Sequence, residues 1–168
     1  MNNTKSLIIY FSRADENYFD GKIKNIDKGN TEIIAEYIKY ITNADIFKVE
    51  PLVKYSKKYT KCIEEAKERI QTHDAPIKEN ISDIASYDVI YIGSPVYWGK
   101  MPEELPTTLK NLNFENKTIK PFITHEGSGA AQIPDQIKKI CRGANVLDSL
   151  VIVGSEAKNS KAIVEDWI

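Results

Sequence analysis

The feature that most constrains the fold is a repeated switch between two apolar periodicities along the chain. Five short runs rich in Ile, Val, Tyr and Phe have the length and composition of β-strands, and some are apolar enough to be buried on both faces. These predicted strands are Leu7–Phe11, Ile46–Val49, Val89–Ile92, Ile119–Thr124 and Val146–Val153.

Apolar residues recur at helical spacing between and after these strands. The predicted helices run from Ile33 to Ile41, from Tyr59 to Ile70, from Leu105 to Leu112, from Ile133 to Cys141 and from Ala162 to Trp167. Such alternation is typical of a mostly parallel sheet with helices on both faces. Because no linker, repeat or low-complexity tract interrupts the pattern, we predict one three-layer α/β/α domain over residues 1–168.

The charge balance excludes some classes of partner. The chain has 23 basic and 24 acidic residues, so its net charge of −1 creates no overall attraction to nucleic acid or to a membrane. Its N-terminal apolar run is too short for a secretory signal, and no later run reaches transmembrane length. We therefore predict a cytoplasmic protein without a nucleic-acid or membrane partner.

The cysteines and histidines do not suggest a metal site. Cys62 and Cys141 are far apart and belong to no CxxC motif, and the chain has only two histidines, His73 and His125. We expect buried, unreactive thiols. A lone histidine at a strand end is more often a hydrogen-bonded structural residue than a proton donor, and this is the role we expect for His125.

Three loops follow predicted strands and carry unusual residues. In open parallel sheets, ligands bind beyond the carboxyl ends of the strands, where the strand order reverses. The first loop begins at Phe11-Ser12-Arg13 and ends at Gly29-Asn30-Thr31, the second is Gly93–Lys100, and the third is Thr124–Ala130. We expect all three loops at one edge of the sheet.

The first loop has the properties of an anion site. Gly29-Asn30-Thr31 precedes a helix and offers unpaired N–H groups, capping side chains and the positive end of a helix dipole. Ser12 adds a hydroxyl group and Arg13 a charged donor. An ordinary helix cap is the alternative interpretation. Neither GxxxxGK[ST] nor GxGxxG occurs at this turn, which disfavours a nucleoside triphosphatase or a dinucleotide-binding protein.

The segment between Arg13 and Gly29 is longer than a usual strand–helix connection of about 2–6 residues. Its acidic and basic residues nearly cancel. Two interpretations are open, a solvated flap or a lid over a cofactor.

The second loop places Tyr97 and Trp98 side by side between Pro95 and Gly99. Neighbouring side chains on an extended or turning chain point apart, so both rings do not easily enter the same core. We expect at least one of them to face something outside the fold, although ordinary packing against a helix is the alternative.

Together the three loops resemble the cofactor loops of flavodoxins and related FMN-binding proteins. The resemblance rests on Ser12 with Gly29-Asn30-Thr31, on Gly93-Ser-Pro-Val-Tyr-Trp-Gly99 and on Thr124-His-Glu-Gly-Ser128, and it spans nearly the whole chain. It implies a five-stranded parallel sheet in the order 2-1-3-4-5, with FMN at the switch point.

The resemblance also assigns a task to each loop. The first would hold the FMN phosphate, the second would run along the isoalloxazine with Trp98 or Tyr97 stacked on it, and the third would close the other side with backbone groups. The residues implied are Ser12, Arg13, Gly29, Asn30 and Thr31; Pro95, Val96, Tyr97, Trp98 and Gly99; and Thr124, His125, Glu126, Gly127 and Ser128. In short-chain flavodoxins the glycine of the Trp-Gly pair accepts a hydrogen bond from N5–H of the reduced ring.

Two features depart from the family pattern. Lys100 follows the Trp-Gly pair, where short-chain flavodoxins often carry an acid. Glu126 is the only carboxylate in the third loop, which also has no obvious stacking tyrosine. We therefore expect a less negative flavin environment than is usual in the family.

The resemblance implies an electron-transfer protein that exchanges electrons between redox partner proteins through FMN, without a catalytic residue of its own. The alternative is an NAD(P)H-dependent FMN or quinone oxidoreductase on the same fold, with a nicotinamide or a quinone as its partner. A signalling receiver domain is disfavoured, because it needs acidic residues where this chain has Ser12-Arg13 and Ser94-Pro95.

Overall fold

A computed structural model describes residues 4–168. The strands are β1 (Ser6–Tyr10), β2 (Asp15–Phe19), β3 (Lys22–Ile26), β4 (Asp45–Lys48), β5 (Val89–Pro95), β6 (Thr118–His125), β7 (Asn145–Val146) and β8 (Leu150–Val153). The helices are α1 (Asn30–Thr42), α2 (Tyr59–Thr72), α3 (Glu104–Leu109), α4 (Ile133–Ile140) and α5 (Lys161–Trp167), with a 3₁₀ helix at Gly154–Asn159 before α5.

The main sheet is parallel, and its order is β4-β1-β5-β6, with both β7 and β8 beside β6. If β7 and β8 are taken as one position, this is the order 2-1-3-4-5 that the resemblance implies. In the centre, Ile8 of β1 pairs with Ile46 of β4 on one side and Tyr91 of β5 on the other. The prediction of a parallel flavodoxin-like sheet is confirmed.

One sequence-based expectation is corrected by the fold. The last predicted strand, Val146–Val153, is not continuous: Leu147–Ser149 separates β7 from β8. Asp148 and Ser149 have low strand propensity, and the Asp148 carbonyl accepts a hydrogen bond from Trp167 Nε1 instead of joining the sheet.

The connection between β1 and α1, for which the sequence leaves a flap or a lid open, contains secondary structure of its own. Within it β2 and β3 form an antiparallel hairpin. The turn residues Asp20 and Gly21 have φ values of 51° and 80°. Positive φ at both central residues is required by the type I′ turn, which matches the twist of the flanking strands.

The helices lie on both faces of the sheet, as predicted. Alternate residues of each strand point to opposite faces, so Ile9 and Ile92 enter one core while Ile8 and Phe122 enter the other. The first core is completed by α2, α3 and α4, and the second by α1 and α5. The three-layer α/β/α architecture is therefore confirmed.

Within residues 4–168, no helix is both long and apolar enough to cross a membrane.

Candidate functional site

A cavity of about 410 Å³ opens beyond the carboxyl ends of β1, β5, β6 and β8. This volume lies in the range of about 300–1,000 Å³ that is usual for small-molecule sites. The residues that line it are Arg13, Asn17, Tyr18, Asn30, Tyr59, Cys62, Ile63, Ala66, Pro95, Val96, Tyr97, Trp98, Gly99, Thr124, His125, Glu126, Ser128 and Gly154.

Parallel strands bring all three predicted loops to this cavity. Eleven of the fifteen predicted residues line it, and the exceptions are Ser12, Gly29, Thr31 and Gly127. The first three of these make contacts within the protein at the start of α1.

The start of α1 shows why. Ser12 Oγ accepts the Glu32 N–H at 3.1 Å and so caps the helix from outside. A Cβ on Gly29 would lie 2.0 Å from that oxygen, so only glycine allows this close approach. The buried hydroxyl of Thr31 is 2.8 Å from the Thr124 hydroxyl and faces that residue. These contacts fix the first turn of α1 against β6.

Arg13 connects the hairpin to the segment before α2. Its Nη1 donates to the Glu16 carbonyl at 2.5 Å and its Nη2 to the Ser56 carbonyl at 2.6 Å. Its Nε is buried and has no hydrogen-bond partner among residues 4–168. Buried donors are almost always paired, and Arg13 lines the cavity, so this wall is where a bound ligand would supply the missing acceptor.

The second loop makes a tight turn that separates its two aromatic residues. Tyr97 and Lys100 exchange backbone hydrogen bonds of 2.7 and 3.0 Å, while Trp98 and Gly99 between them have φ values of 53° and 77°. The Tyr97 ring packs edge-on against Phe11 and Tyr55, at centroid distances of 5.7 and 5.9 Å. Burial raises the pKa of Tyr97 well above its usual value.

Trp98 points the other way and lies over α2. Its Nε1 donates to the Ile63 carbonyl at 2.7 Å, and Lys67 Nζ lies 5.3 Å from the ring centroid. The side chain remains 53% exposed. The Gly99 carbonyl accepts the Gln132 N–H at 2.9 Å, so in this conformation it is engaged with the start of α4. Tyr97 thus belongs to the core, whereas Trp98 forms the rim of the cavity.

His125 orders the third loop. Its Nδ1 accepts two backbone N–H groups, from Gly127 at 2.9 Å and from Gly129 at 3.1 Å. Burial lowers the pKa of His125. Both observations favour a neutral ring with its proton on Nε2, which is the structural role expected from the sequence.

Glu126 contributes a second unpaired polar atom. Its Oε2 accepts the Asp20 N–H at the tip of the hairpin, at 3.3 Å, but its buried Oε1 has no partner among the described residues. A Cβ on Gly154 would lie 2.5 Å from that oxygen and 2.4 Å from Asn30 Nδ2. Burial raises the pKa of the Glu126 carboxyl above its usual value.

Seven lining residues were missed by the sequence analysis. Tyr59, Cys62, Ile63 and Ala66 belong to α2, for which the sequence predicts an apolar helical face but no binding residue. Asn17 and Tyr18 belong to the hairpin, whose Asp20-Gly21 turn was a readable signal. Gly154 follows the last strand, where a glycine allows close approach.

Comparisons with known proteins identify the family and the fold that this chain shares. Residues 20–168 match a protein-family model described as Flavodoxin. No protein in the curated set matches the sequence.

Solved structures share the fold at low sequence identity. A flavoprotein candidate from Bacteroides eggerthii is 20% identical, with a TM-score of 0.75 over 98% of this chain and 96% of that one. A flavoprotein in complex with FMN from Lactobacillus acidophilus is 22% identical, with a TM-score of 0.63 over 94% and 98%. Oxidised Flavodoxin 2 from Bacillus cereus is 17% identical, with a TM-score of 0.52 over 98% and 100%. Because the family model covers most of the sequence, the chain belongs to the flavodoxin family.

Proposed function

We propose that the protein binds FMN in this cavity and carries electrons between redox partner proteins in the cytoplasm. The observation that carries the proposal is the combination of aromatic walls with two buried polar atoms that lack partners among residues 4–168. One of them, Arg13 Nε, is a donor, and the other, Glu126 Oε1, is an acceptor.

FMN fits both parts of such a site. Its planar ring suits the apolar wall to which Trp98, Ile63 and Ala66 contribute. Its phosphate oxygens are acceptors for Arg13, and its ribityl hydroxyls are donors for Glu126. A ligand that satisfies both atoms removes the free-energy cost of leaving them unpaired. The FMN complex of the Lactobacillus acidophilus protein, which has the same fold, supports this choice.

The start of α1 is the proposed phosphate end. Ser12 Oγ accepts the Glu32 N–H, and the Gly29 carbonyl accepts the Ile33 N–H. The backbone N–H groups of Asn30 and Thr31 are left for other acceptors. The positive end of the helix dipole favours an anion there. In this proposal Thr31 contributes its backbone N–H, because its hydroxyl is engaged with Thr124.

The remaining predicted residues orient the ring and exclude water. Pro95–Gly99 would follow one side of the isoalloxazine, and Thr124–Ser128, held in shape by His125, would meet its pyrimidine edge. When bound, FMN supplies the redox chemistry by taking up and releasing one or two electrons. Trp98 is half-exposed at the rim, which supports electron exchange with a partner at this edge.

Calorimetry with FMN and riboflavin tests the proposal. Charge-assisted hydrogen bonds contribute about 1.5–3 kcal/mol, so FMN should bind roughly 10- to 100-fold more tightly than riboflavin. The variant Arg13→Gln should weaken FMN more than riboflavin, because the loss of its bonds to the Glu16 and Ser56 carbonyls affects both flavins, whereas the loss of a phosphate contact affects FMN alone. If the unmodified protein bound FMN and riboflavin with equal affinity, the proposed phosphate site would be rejected. If it bound neither flavin, the proposed function would be rejected.

An anaerobic titration with NADPH separates an electron carrier from a reductase. We expect the FMN absorption to persist with NADPH alone and to bleach when a flavodoxin reductase is added. Rapid bleaching by NADPH alone, with turnover on a quinone, would instead establish the oxidoreductase alternative.

A further inference from the structure

The aromatic residues around the cavity are unevenly distributed among the three loops. The loop after β5 supplies Tyr97 and Trp98, but the loop after β6, with sequence His125-Glu-Gly-Ser-Gly129, has no tyrosine, tryptophan or phenylalanine. Two other aromatic residues line the same cavity, Tyr18 from the hairpin and Tyr59 from α2. The hairpin thus brings an aromatic residue to a site where the third loop provides none.

Tyr18 and Tyr59 lie close together. Their ring centroids are 6.2 Å apart and their planes are tilted by 37°. Tyr18 is nevertheless 42% exposed, so part of its ring is not covered by protein. A half-exposed aromatic ring beside an apolar cavity offers surface that a planar ligand can cover.

The hairpin that carries Tyr18 is tied down on both sides. A two-stranded ribbon is at best marginally stable by itself, so its position depends on such contacts. Near its base, Glu16 Oε2 accepts the Tyr59 N–H at 2.9 Å, and Arg13 joins the Glu16 and Ser56 carbonyls. At its tip, the Asp20 N–H donates to Glu126.

These contacts also fix Tyr18 relative to its neighbour. The carboxylate of Glu16 lies at the N-terminus of α2, where the described helix has no acidic residue in its first turn and the N-cap side chain makes no capping bond. The same bond therefore stabilises the start of α2 and holds β2 beside Tyr59.

We propose that Tyr18, supported by Tyr59, forms a second aromatic wall of the flavin site and contacts the isoalloxazine ring. This proposal rests on the proposed function and adds a residue that the resemblance to flavodoxins did not supply. Because Tyr18 would cover part of the bound ring, its removal should also speed the dissociation of the flavin.

The test compares Tyr18→Ala with Tyr18→Phe, which keeps the ring. Affinities for FMN and riboflavin are measured by fluorescence titration, and FMN dissociation by stopped flow. We expect Tyr18→Ala to weaken both flavins by the same factor, roughly 3- to 10-fold, and to increase the dissociation rate of FMN. Tyr18→Phe should bind as the unmodified protein does.

Ile23→Ala is the matched control, because it shows whether any loss of a side chain from the hairpin weakens flavin binding. Ile23 is the cross-strand partner of Tyr18 and is 51% exposed, but it does not line the cavity. Its substitution should change neither affinity nor the visible absorption spectrum of bound FMN, whereas Tyr18→Ala should shift that spectrum. Circular dichroism checks that each variant is folded.

The outcomes separate this inference from the proposed function. If the unmodified protein binds FMN but Tyr18→Ala binds it equally well, the second wall is rejected and the FMN site stands. The wall is also rejected if Tyr18→Ala weakens FMN alone, since the residue would then act at the phosphate, or if Ile23→Ala has the same effect. If the unmodified protein binds no flavin, the proposed function itself fails.

Discussion

At the scale of single residues, the turn after β5 shows how two adjacent aromatic side chains take different roles. The positive φ of Trp98 is unusual for a bulky residue and costs of order 1–3 kcal/mol. That conformation sends Tyr97 into the core and turns Trp98 across α2. A strained residue at the rim of a cavity is a reason to expect that its side chain contributes to binding.

The first prediction concerns Trp98. In a Trp167→Phe background, Trp98 is the only tryptophan of the chain. If the indole stacks on the flavin, its fluorescence should be strongly quenched by FMN and recover when FMN is removed. Trp98→Ala should weaken FMN binding by about 0.5–1.5 kcal/mol or more. Unquenched indole emission in the FMN complex would show that Trp98 does not stack.

The second prediction concerns the pH dependence that His125 introduces. Its pKa is lowered in the folded protein, and a proton on Nδ1 would face the Gly127 and Gly129 N–H groups. The unfolded chain therefore binds this proton at a higher pH than the folded protein does. The stabilisation is fully present above the unfolded pKa of about 6.5 and is lost as the pH falls below it.

Urea denaturation of the apoprotein between pH 8 and pH 5 measures this effect. Glu126, whose pKa is raised, changes the stability in the opposite direction, so the informative quantity is the difference between the unmodified protein and His125→Gln. That difference should decrease at low pH. An unchanged pH slope in His125→Gln would contradict the assigned role of Nδ1.

At the scale of elements, the start of α1 depends on a close approach between two parts of the chain. Gly29 lies directly against Ser12 and the Arg13 backbone, and this contact places the first turn of α1 beside the cavity. The hairpin inserted between these residues leaves their packing intact. Gly29 is thus in contact with Ser12 and Arg13 although it lies 17 and 16 positions after them in the sequence.

The third prediction is that Gly29→Ala destabilises the apoprotein by about 1–3 kcal/mol and weakens FMN. The added Cβ would lie 2.0 Å from Ser12 Oγ and 2.8 Å from the Arg13 carbonyl, so the chain must shift. Ser12→Ala should partly rescue the stability of Gly29→Ala, because it removes the nearer obstacle. Denaturant midpoints measure both effects. A neutral Gly29→Ala variant would mean that this contact is easily relaxed.

At the scale of the whole molecule, the cavity joins the ends of four strands, the hairpin and α2. The fourth prediction is that FMN stabilises all of these together by mass action. At a free concentration of 100 times Kd, it should add about 2.7 kcal/mol to the free energy of unfolding. Urea denaturation measures the gain, and riboflavin at the same concentration should give less. No shift with FMN would indicate that it does not bind the folded state.

The sequence by itself determined the layers and the edge of the sheet that carries the candidate site. Periodicity and strand composition are local properties, and the carboxyl ends of parallel strands must meet at one edge. The sequence therefore predicts Arg13, Trp98 and Glu126 at this edge, and all three line the cavity.

Only the tertiary structure decided which side chains face the cavity. The direction of the Thr31 hydroxyl is set by Thr124, which is 93 residues away in sequence, and the position of Tyr18 is set by contacts of its hairpin with α2 and with the loop after β6. Similarly, the chain leaves the sheet between β7 and β8, where the Asp148 carbonyl accepts a hydrogen bond from Trp167 instead of from β6. These outcomes depend on packing between residues that are far apart in the sequence. A local apolar pattern is the same whether a polar or aromatic side chain at its edge points into the cavity or into the protein, so the pattern does not encode that choice.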